Sequence, residues 1–364
     1  MRNRRIIALL GCALVILSGC GRVIDKNSSV FSEKASETAV TAVQTAVQDD
    51  ASSADDSSEA ASETEKTSSK TEEKTSAETE KPETSAETQA ADDSSSQADI
   101  ADDLSVPYSK AYALYRPDDG MLIAEKSLYD QVSLASITKL LSASVMLKYL
   151  SPDDSVTVGE EVYLAKPDST LSYITPGMTL KVKDLIAAML LPSGNDAAYT
   201  VAVNTARTAA GDPYMDDQTA VAYFCDLMNG FAAELGMSNS HFANPEGWDD
   251  PEHYTTLGDL LKLADHVLSV PELCEIAGTY QRYCEPETGG SCLWTNTNLF
   301  LDPTSPYYRE DCIGLKTGTT ASAGCCLISA FRINGSTYIC AVMGCGENYD
   351  RYELAQKILN KYIR

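Results

Sequence analysis

Apolar and polar positions along the second half of this chain fall into periodic runs that define its elements. Lys110-Ala111-Tyr112-Ala113-Leu114-Tyr115-Arg116 and Met121-Leu122-Ile123-Ala124-Glu125 flank Pro117-Asp118-Asp119-Gly120, which predicts a strand, a turn and a strand. After Ser133-Leu134-Ala135-Ser136, apolar residues at Leu140, Leu141, Val145, Met146 and Tyr149 recur at helical spacing, so a helix with one apolar face should start at Ser136. Residues 182–191 read as a second helical run stopped by Pro192, leaving Ser193-Gly194-Asn195 in a turn before helix resumes over 196–203. A further helix is expected over 219–235, with Gly236 as its stop. Gly314-Leu315-Lys316-Thr317-Gly318-Thr319-Thr320 leads into two β-rich runs, 325–333 and 336–342, joined by Asn334-Gly335, the signature of a type I′ hairpin. Over 352–363, Leu354, Ala355, Ile358, Leu359 and Tyr362 share one helical face that should pack across that sheet. Strands at both ends with helices between predict a mixed α/β (α+β) domain, an antiparallel sheet flanked by helices plus a helical subdomain.

The first 103 residues lack this patterning. Arg2, Arg4 and Arg5 precede an apolar run from Ile6 to Leu17 and the small residues Ser18 and Gly19, which is the layout of an export signal and short for a spanning helix. Residues 21–103 carry almost no aromatic or large apolar side chains, and from Ser28 to Asp103 they are Ser, Thr, Ala, Glu and Asp with scattered Lys, repeating fragments such as Glu63-Thr64-Glu65-Lys66-Thr67 and Glu78-Thr79-Glu80-Lys81-Pro82. With so little apolar surface to offset chain entropy, this stretch is expected to be a solvated, disordered tether with a reach on the order of 50 Å. Residues 104–364 remain as the folded domain, ample for one hydrophobic core.

A formal charge of −25 argues against nucleic acid as a partner and suggests no basic membrane-binding face. Of 11 cysteines, Cys12 falls within the signal and no Cys-x-x-Cys pair occurs; with only 3 histidines, neither a zinc site nor any other metal or cofactor is expected. Cys284 and Cys292 flank Gly289-Gly290, spaced for a hairpin disulfide whose pairing the sequence leaves open. The other cysteines read as small buried apolar residues.

Three short motifs carry the chemistry: Ser136-Ile137-Thr138-Lys139, Ser193-Gly194-Asn195 and Lys316-Thr317-Gly318. The first sets a hydroxyl nucleophile and an amine one helical turn apart, the second adds a hydroxyl and an amide, and the third a cation. Any one of them recurs by chance; their order, each beside an element boundary, points to acyl transfer. An amine of ordinary basicity is protonated at neutral pH, so for Lys139 to serve as base it must be depressed by burial and by a nearby cation, for which Lys316 is the candidate. His241, His253 and His266 are not needed for such chemistry. Asn244, Thr255 and Asn296 read as turn and scaffold hydrogen bonders, and Trp248 and Trp294 as buried packing.

These motifs, with Phe242-Ala243-Asn244-Pro245-Glu246-Gly247, Tyr254-Thr255-Thr256 and Thr295-Asn296-Thr297-Asn298-Leu299, resemble the serine penicillin-binding and β-lactamase superfamily, and within it the D-alanyl-D-alanine carboxypeptidases. The resemblance spans about residues 107–364 and implies a β-lactamase/transpeptidase-like fold. It further implies that Ser136 forms an acyl-enzyme with a peptidoglycan stem peptide ending in D-Ala-D-Ala. Lys139 would then be the base, Ser193 would relay a proton, and Asn195 would orient Lys139 and the substrate amide. The N–H groups of Ser136 and Thr319 would form an oxyanion hole beside Gly318. Thr317, Thr319 and Arg351, just ahead of the last helix, would meet the substrate carboxylate; the alternative for Arg351 is a surface ion pair. β-Lactam antibiotics are the implied inhibitors. Leu17-Ser18-Gly19-Cys20 resembles a bacterial lipobox, which implies lipidation at Cys20 and anchoring to the outer face of the cytoplasmic membrane. Two other readings remain open at this point: a β-lactamase, which needs a second base and for which neither Glu234 nor Glu246 lies in the usual setting, and a non-catalytic peptidoglycan-binding lipoprotein.

Overall fold

The computed structural model of the chain describes residues 108–363; the signal 1–20 with Cys20, and the tether 21–103, lie outside the described residues. The first hairpin is β1 (Ala111–Arg116) and β2 (Met121–Lys126). A short 3-10 helix (Ala135–Thr138) leads into α1 (Lys139–Tyr149). A small ladder of β3 (Ser155–Thr157) and β4 (Thr179–Lys181) brackets a second 3-10 turn and is followed by α2 (Val182–Leu190), α3 (Asn195–Ala210), α4 (Asp217–Glu234), α5 (Leu257–Ser269) and α6 (Pro271–Ala277). The hairpin of β5 (Gln281–Cys284) and β6 (Cys292–Thr295) precedes β7 (Cys312–Thr320), β8 (Gly324–Ile333) and β9 (Ser336–Cys345), and α7 (Asp350–Tyr362) follows.

The main sheet has five antiparallel strands in the order β2-β1-β9-β8-β7, so the first hairpin closes onto the last strand and β7 forms one edge. Alternation along β1 assigns its faces: Ala111 and Ala113 belong to the core shared with α1 to α6, while Tyr112 and Leu114 belong to the core under α7 with Phe331, Tyr352 and Ile358. Phe300 meets Phe331 and Tyr352 edge to face in that second core, at centroid separations of 5.4 and 5.1 Å. The β8–β9 turn is the expected type I′, with φ of 53° at Asn334 and 84° at Gly335. Side-chain caps start two helices: Asp216 accepts from Thr219 N on α4, and Thr256 from Asp259 N on α5.

Several expectations change. The helix does not begin at Ser136; that residue lies in the 3-10 turn and α1 begins at Lys139. Nor is α1 one-sided: every residue from Lys139 to Met146 is buried, because α2, α3, α4 and α5 surround it, and Tyr149 lies at the rim. α3 runs to Ala210, past the polar residues Asn204, Arg207 and Thr208 that break its apolar run. α7 begins at Asp350, so Arg351 sits inside its first turn rather than ahead of it. Lys316-Thr317-Gly318 lies within β7 itself. Cys284 and Cys292 are cross-strand neighbours in register, both as free thiols.

Candidate active site

The 3-10 turn that carries Ser136 is braced from several sides. Ala135 adopts a left-handed φ of 50°, and Thr138 Oγ1 donates to its carbonyl at 2.9 Å. Ala243 N donates to His253 Nδ1 at 3.1 Å, so the ring proton sits on Nε2 and is donated to Thr138 Oγ1 at 2.7 Å. Burial holds the His253 pKa down to about 4, which keeps the ring neutral and this relay of donors intact. Two glycines let the backbone close on the turn. A Cβ at Gly247, where φ is 91°, would stand 1.8 Å from Ala135 O, and one at Gly318 would stand 2.9 Å from Ser136 N.

Lys139 is fully buried, one turn after Ser136. Its Nζ donates to Ser136 Oγ at 2.9 Å, within proton-transfer range, and to the main-chain oxygen of Glu246 at 2.7 Å. Burial lowers its pKa to about 8, against the opposing pull of the Glu246 and Asp196 carboxylates. The cation effect expected at Lys139 falls instead on Lys316, held well below its ordinary value by burial first, then by Lys139 and Arg351. Lys316 is 1% exposed, and its Nζ has no hydrogen-bond partner among the described residues.

Ser193 occupies the turn between α2 and α3 with φ 66° and is buried, without lining the cleft that holds Ser136; Asn195 opens α3. The segment opposite is tied to them: Asn195 N donates to Thr170 O at 2.8 Å, and the Asp196 carboxylate accepts from Ser172 N and Oγ, both at 2.8 Å, and from Ile174 N at 3.2 Å. The group that orients Lys139 is thus the Glu246 carbonyl, not the Asn195 side chain; Asn195 Oδ1 is buried without a partner.

Ser136, Asn195 and Thr319 line a cleft of about 280 Å³ with Glu246, Trp248 and Asp249. Thr317 does not line it; its hydroxyl is hydrogen-bonded to that of Thr297 at 2.6 Å. Arg351 is 5% exposed and forms no surface ion pair among the described residues. Its Nη1 donates to Gly318 O at 3.0 Å, Cys326 O at 2.9 Å and Thr319 Oγ1 at 3.3 Å, bracing the edge strand from behind. The buried-packing expectation holds for Trp294, whose Nε1 donates to Ser172 O at 3.0 Å, but not for Trp248, which walls the cleft beneath Lys166 at 4.2 Å from its ring centroid. Asn244 and Asn296 are scaffold as expected: Asn244 holds the 244–248 loop, and Asn296 donates to Ala277 O and Thr279 O. Sequence reasoning weighed Glu246 only as a second base and set it aside, and it passed over Tyr199 and Asp249. Nothing local marked Tyr199 or Asp249.

A five-stranded antiparallel sheet, a helical lobe on one face, and a serine–lysine pair between them define the β-lactamase/transpeptidase-like fold. The chain belongs to the Peptidase S11 family, whose model, described as D-alanyl-D-alanine carboxypeptidase, matches residues 98–347. It is 28% identical over 265 residues to the D-alanyl-D-alanine carboxypeptidase DacC of Escherichia coli (strain K12), covering 69% of this chain and 60% of the relative. It is 29% identical over 253 residues to the D-alanyl-D-alanine carboxypeptidase of Streptomyces sp. (strain K15), covering 66% of this chain and 82% of that protein. The crystal structure of the Streptomyces K15 DD-transpeptidase superposes with a TM-score of 0.63 at 26% identity, covering 71% of this chain and 98% of that one. The chain spans about three fifths of the length of the first curated relatives it matches.

Proposed function

We propose that the protein is a serine-type D-alanyl-D-alanine carboxypeptidase that removes the terminal D-alanine from peptidoglycan stem peptides. The observation that carries this reading is the Lys139 amine 2.9 Å from Ser136 Oγ, fully buried and with its pKa lowered to about 8. Ser136 Oγ attacks the carbonyl of the penultimate D-alanine as its proton passes to Lys139 Nζ. The N–H groups of Ser136 and Thr319 receive the developing oxyanion beside Gly318. Ser193 returns a proton to the leaving amine, Asn195 meets the substrate amide, and water releases the acyl group. Lys316, buried without a hydrogen-bond partner, supplies the positive field for a terminal carboxylate, with Thr319 at the cleft wall. Arg351 acts on that carboxylate through the strand it braces, and Thr317 through its hydroxyl pair with Thr297.

β-Lactams mimic the scissile peptide and acylate the same serine. The N-terminal reading, export with lipidation at Cys20 and a tether over 21–103, would put the domain outside the cytoplasmic membrane within reach of the wall.

The test is D-alanine release from a peptide ending in D-Ala-D-Ala, and intact mass after benzylpenicillin, for the wild type and Ser136→Ala. Free D-alanine and a long-lived penicilloyl adduct, both lost in the variant, are expected. Rapid penicillin turnover without D-alanine would make the protein a β-lactamase, and neither acylation nor release would leave a binding role.

A further inference from the structure

Glu246 meets the catalytic lysine twice. Its main-chain oxygen accepts from Lys139 Nζ at 2.7 Å, and its side chain lines the same cleft as Ser136. The residue is 1% exposed. Tyr199 OH donates to Oε1 at 3.0 Å, while Oε2 is buried without a hydrogen-bond partner among the described residues. The loop does not depend on the carboxyl for its shape. Asn244 Oδ1 accepts from Gly247 N at 2.7 Å and Trp248 N at 3.0 Å, and its Nδ2 donates to Trp248 O at 3.0 Å. The other acid near Lys139, Asp196 on α3, has its oxygens engaged by Ser172 and Ile174. Glu246 is therefore the acid with spare lone-pair capacity beside the buried Lys139, and its carboxyl also faces the Asn195 side chain and Lys166.

We propose that Glu246 is a positioning residue for acyl transfer: its main-chain oxygen holds the Lys139 amine against Ser136, and its carboxylate stabilises the ammonium that forms when Ser136 gives up its proton. This rests on the Ser136–Lys139 reading above. In the step, the Ser136 O–H bond breaks as Oγ bonds to the substrate carbonyl carbon. The proton moves to Lys139 Nζ, the carbonyl π electrons move to the oxyanion, and the carboxylate neither gains nor loses a proton. The charged and titratable groups facing the pair are Asp196 and Tyr199 from α3, Lys316 from β7, His253 behind Thr138, and Lys166 over Trp248. Burial raises the carboxyl pKa and the Lys139 charge opposes that rise, so each charge supports the other.

Removing the carboxylate makes Lys139 a weaker base that sheds its proton at lower pH. The experiment measures benzylpenicillin acylation rates from pH 5 to 10 by quenched intact mass on the purified protein, wild type, Glu246→Gln and Glu246→Asp. In Glu246→Gln the acid limb should move down by on the order of one pH unit and the plateau should fall about tenfold. Glu246→Asp, which keeps the charge, should restore the limb. A lowered plateau with an unmoved limb, an upward shift, or identical limbs in the two variants would overturn the proposal. A wild type that is acylated at Ser136 while the limb stays fixed in Glu246→Gln sinks this inference alone; a wild type that is never acylated sinks the proposed function and this inference with it. Should Glu246→Gln not fold, Tyr199→Phe decides. It strips the donor that draws charge onto Oε1, so the carboxylate acts more strongly on Lys139 and must move the limb upward; an unmoved limb overturns the proposal.

Discussion

Acidification should loosen this domain through one imidazole. In the folded protein His253 accepts from Ala243 N and donates to Thr138 Oγ1, and burial sets its pKa at about 4 against an ordinary 6.5. A histidine whose folded pKa is lowered is bound to fewer protons in the native state than in the unfolded chain between those two values. Stability is therefore complete above about pH 6.5, falls as pH drops, and levels off below about pH 4. At 1.36 kcal/mol per unit, the full span amounts to roughly 3 kcal/mol, of which about 1.4 kcal/mol is gone by pH 5.5. Urea unfolding of the wild type and His253→Gln at pH 7.5, 5.5 and 4.5 isolates the effect, because carboxylates titrate alike in both. The variant should be less stable at pH 7.5 by about 1–3 kcal/mol for the broken relay, and the gap should close by about 1.4 kcal/mol at pH 5.5. Two parallel stability curves would refute the reasoning, since a merely structural histidine shifts stability equally at every pH.

Three further outcomes follow from the same geometry. With Lys139 lowered to about 8, penicillin acylation should rise about tenfold per pH unit below that value and level off above it, read from a pH–rate profile. Lys316→Met should remove a buried amine that lacks a hydrogen-bond partner among the described residues, raising stability in urea by about 1–3 kcal/mol while acylation falls at least a hundredfold; a variant that loses stability would contradict the picture of an unsatisfied buried amine. Gly318→Ala, whose Cβ would press on Ser136 N from 2.9 Å, should cost about 1–3 kcal/mol in unfolding and suppress acylation further than the stability loss explains.

How legible was this in the sequence? The β8–β9 hairpin was, because Asn334-Gly335 between β-branched runs is a local rule, and so was α7 with its single apolar face. The helix α1 was legible as a helix but not its surroundings: the single apolar face read from Leu140, Leu141, Val145 and Met146 is only part of a helix buried on every side, whose Ser142 and Ser144 are satisfied by Pro245 O and Leu140 O. β7 hid because its glycines weaken any strand signal, yet Gly318 is there to admit the Ser136 turn. The pairing of Ser136 with Lys139 follows from three-residue spacing. That Glu246 holds the amine, that Arg351 braces Gly318 and Cys326, and that His253 supports Thr138 are contacts across 107, 33, 25 and 115 residues, which no local pattern encodes.

The seam between β1 and β9 has a consequence for how the site comes into being. β1 is the first strand described and β9 the last, and Ala111 pairs with Met343 across nearly the whole domain. The central position of the sheet is thus filled by the last of its strands in chain order, and β7 can be clamped against the Ser136 turn only once β8 joins it to β9 and β1. Such non-local closure makes folding slow and leaves the early hairpin with an open edge until β9 has been made. A chain cut after Ile333 should keep all three motifs yet take up no penicillin, so reactivity arrives with the final strand and serves as a report that the domain has closed.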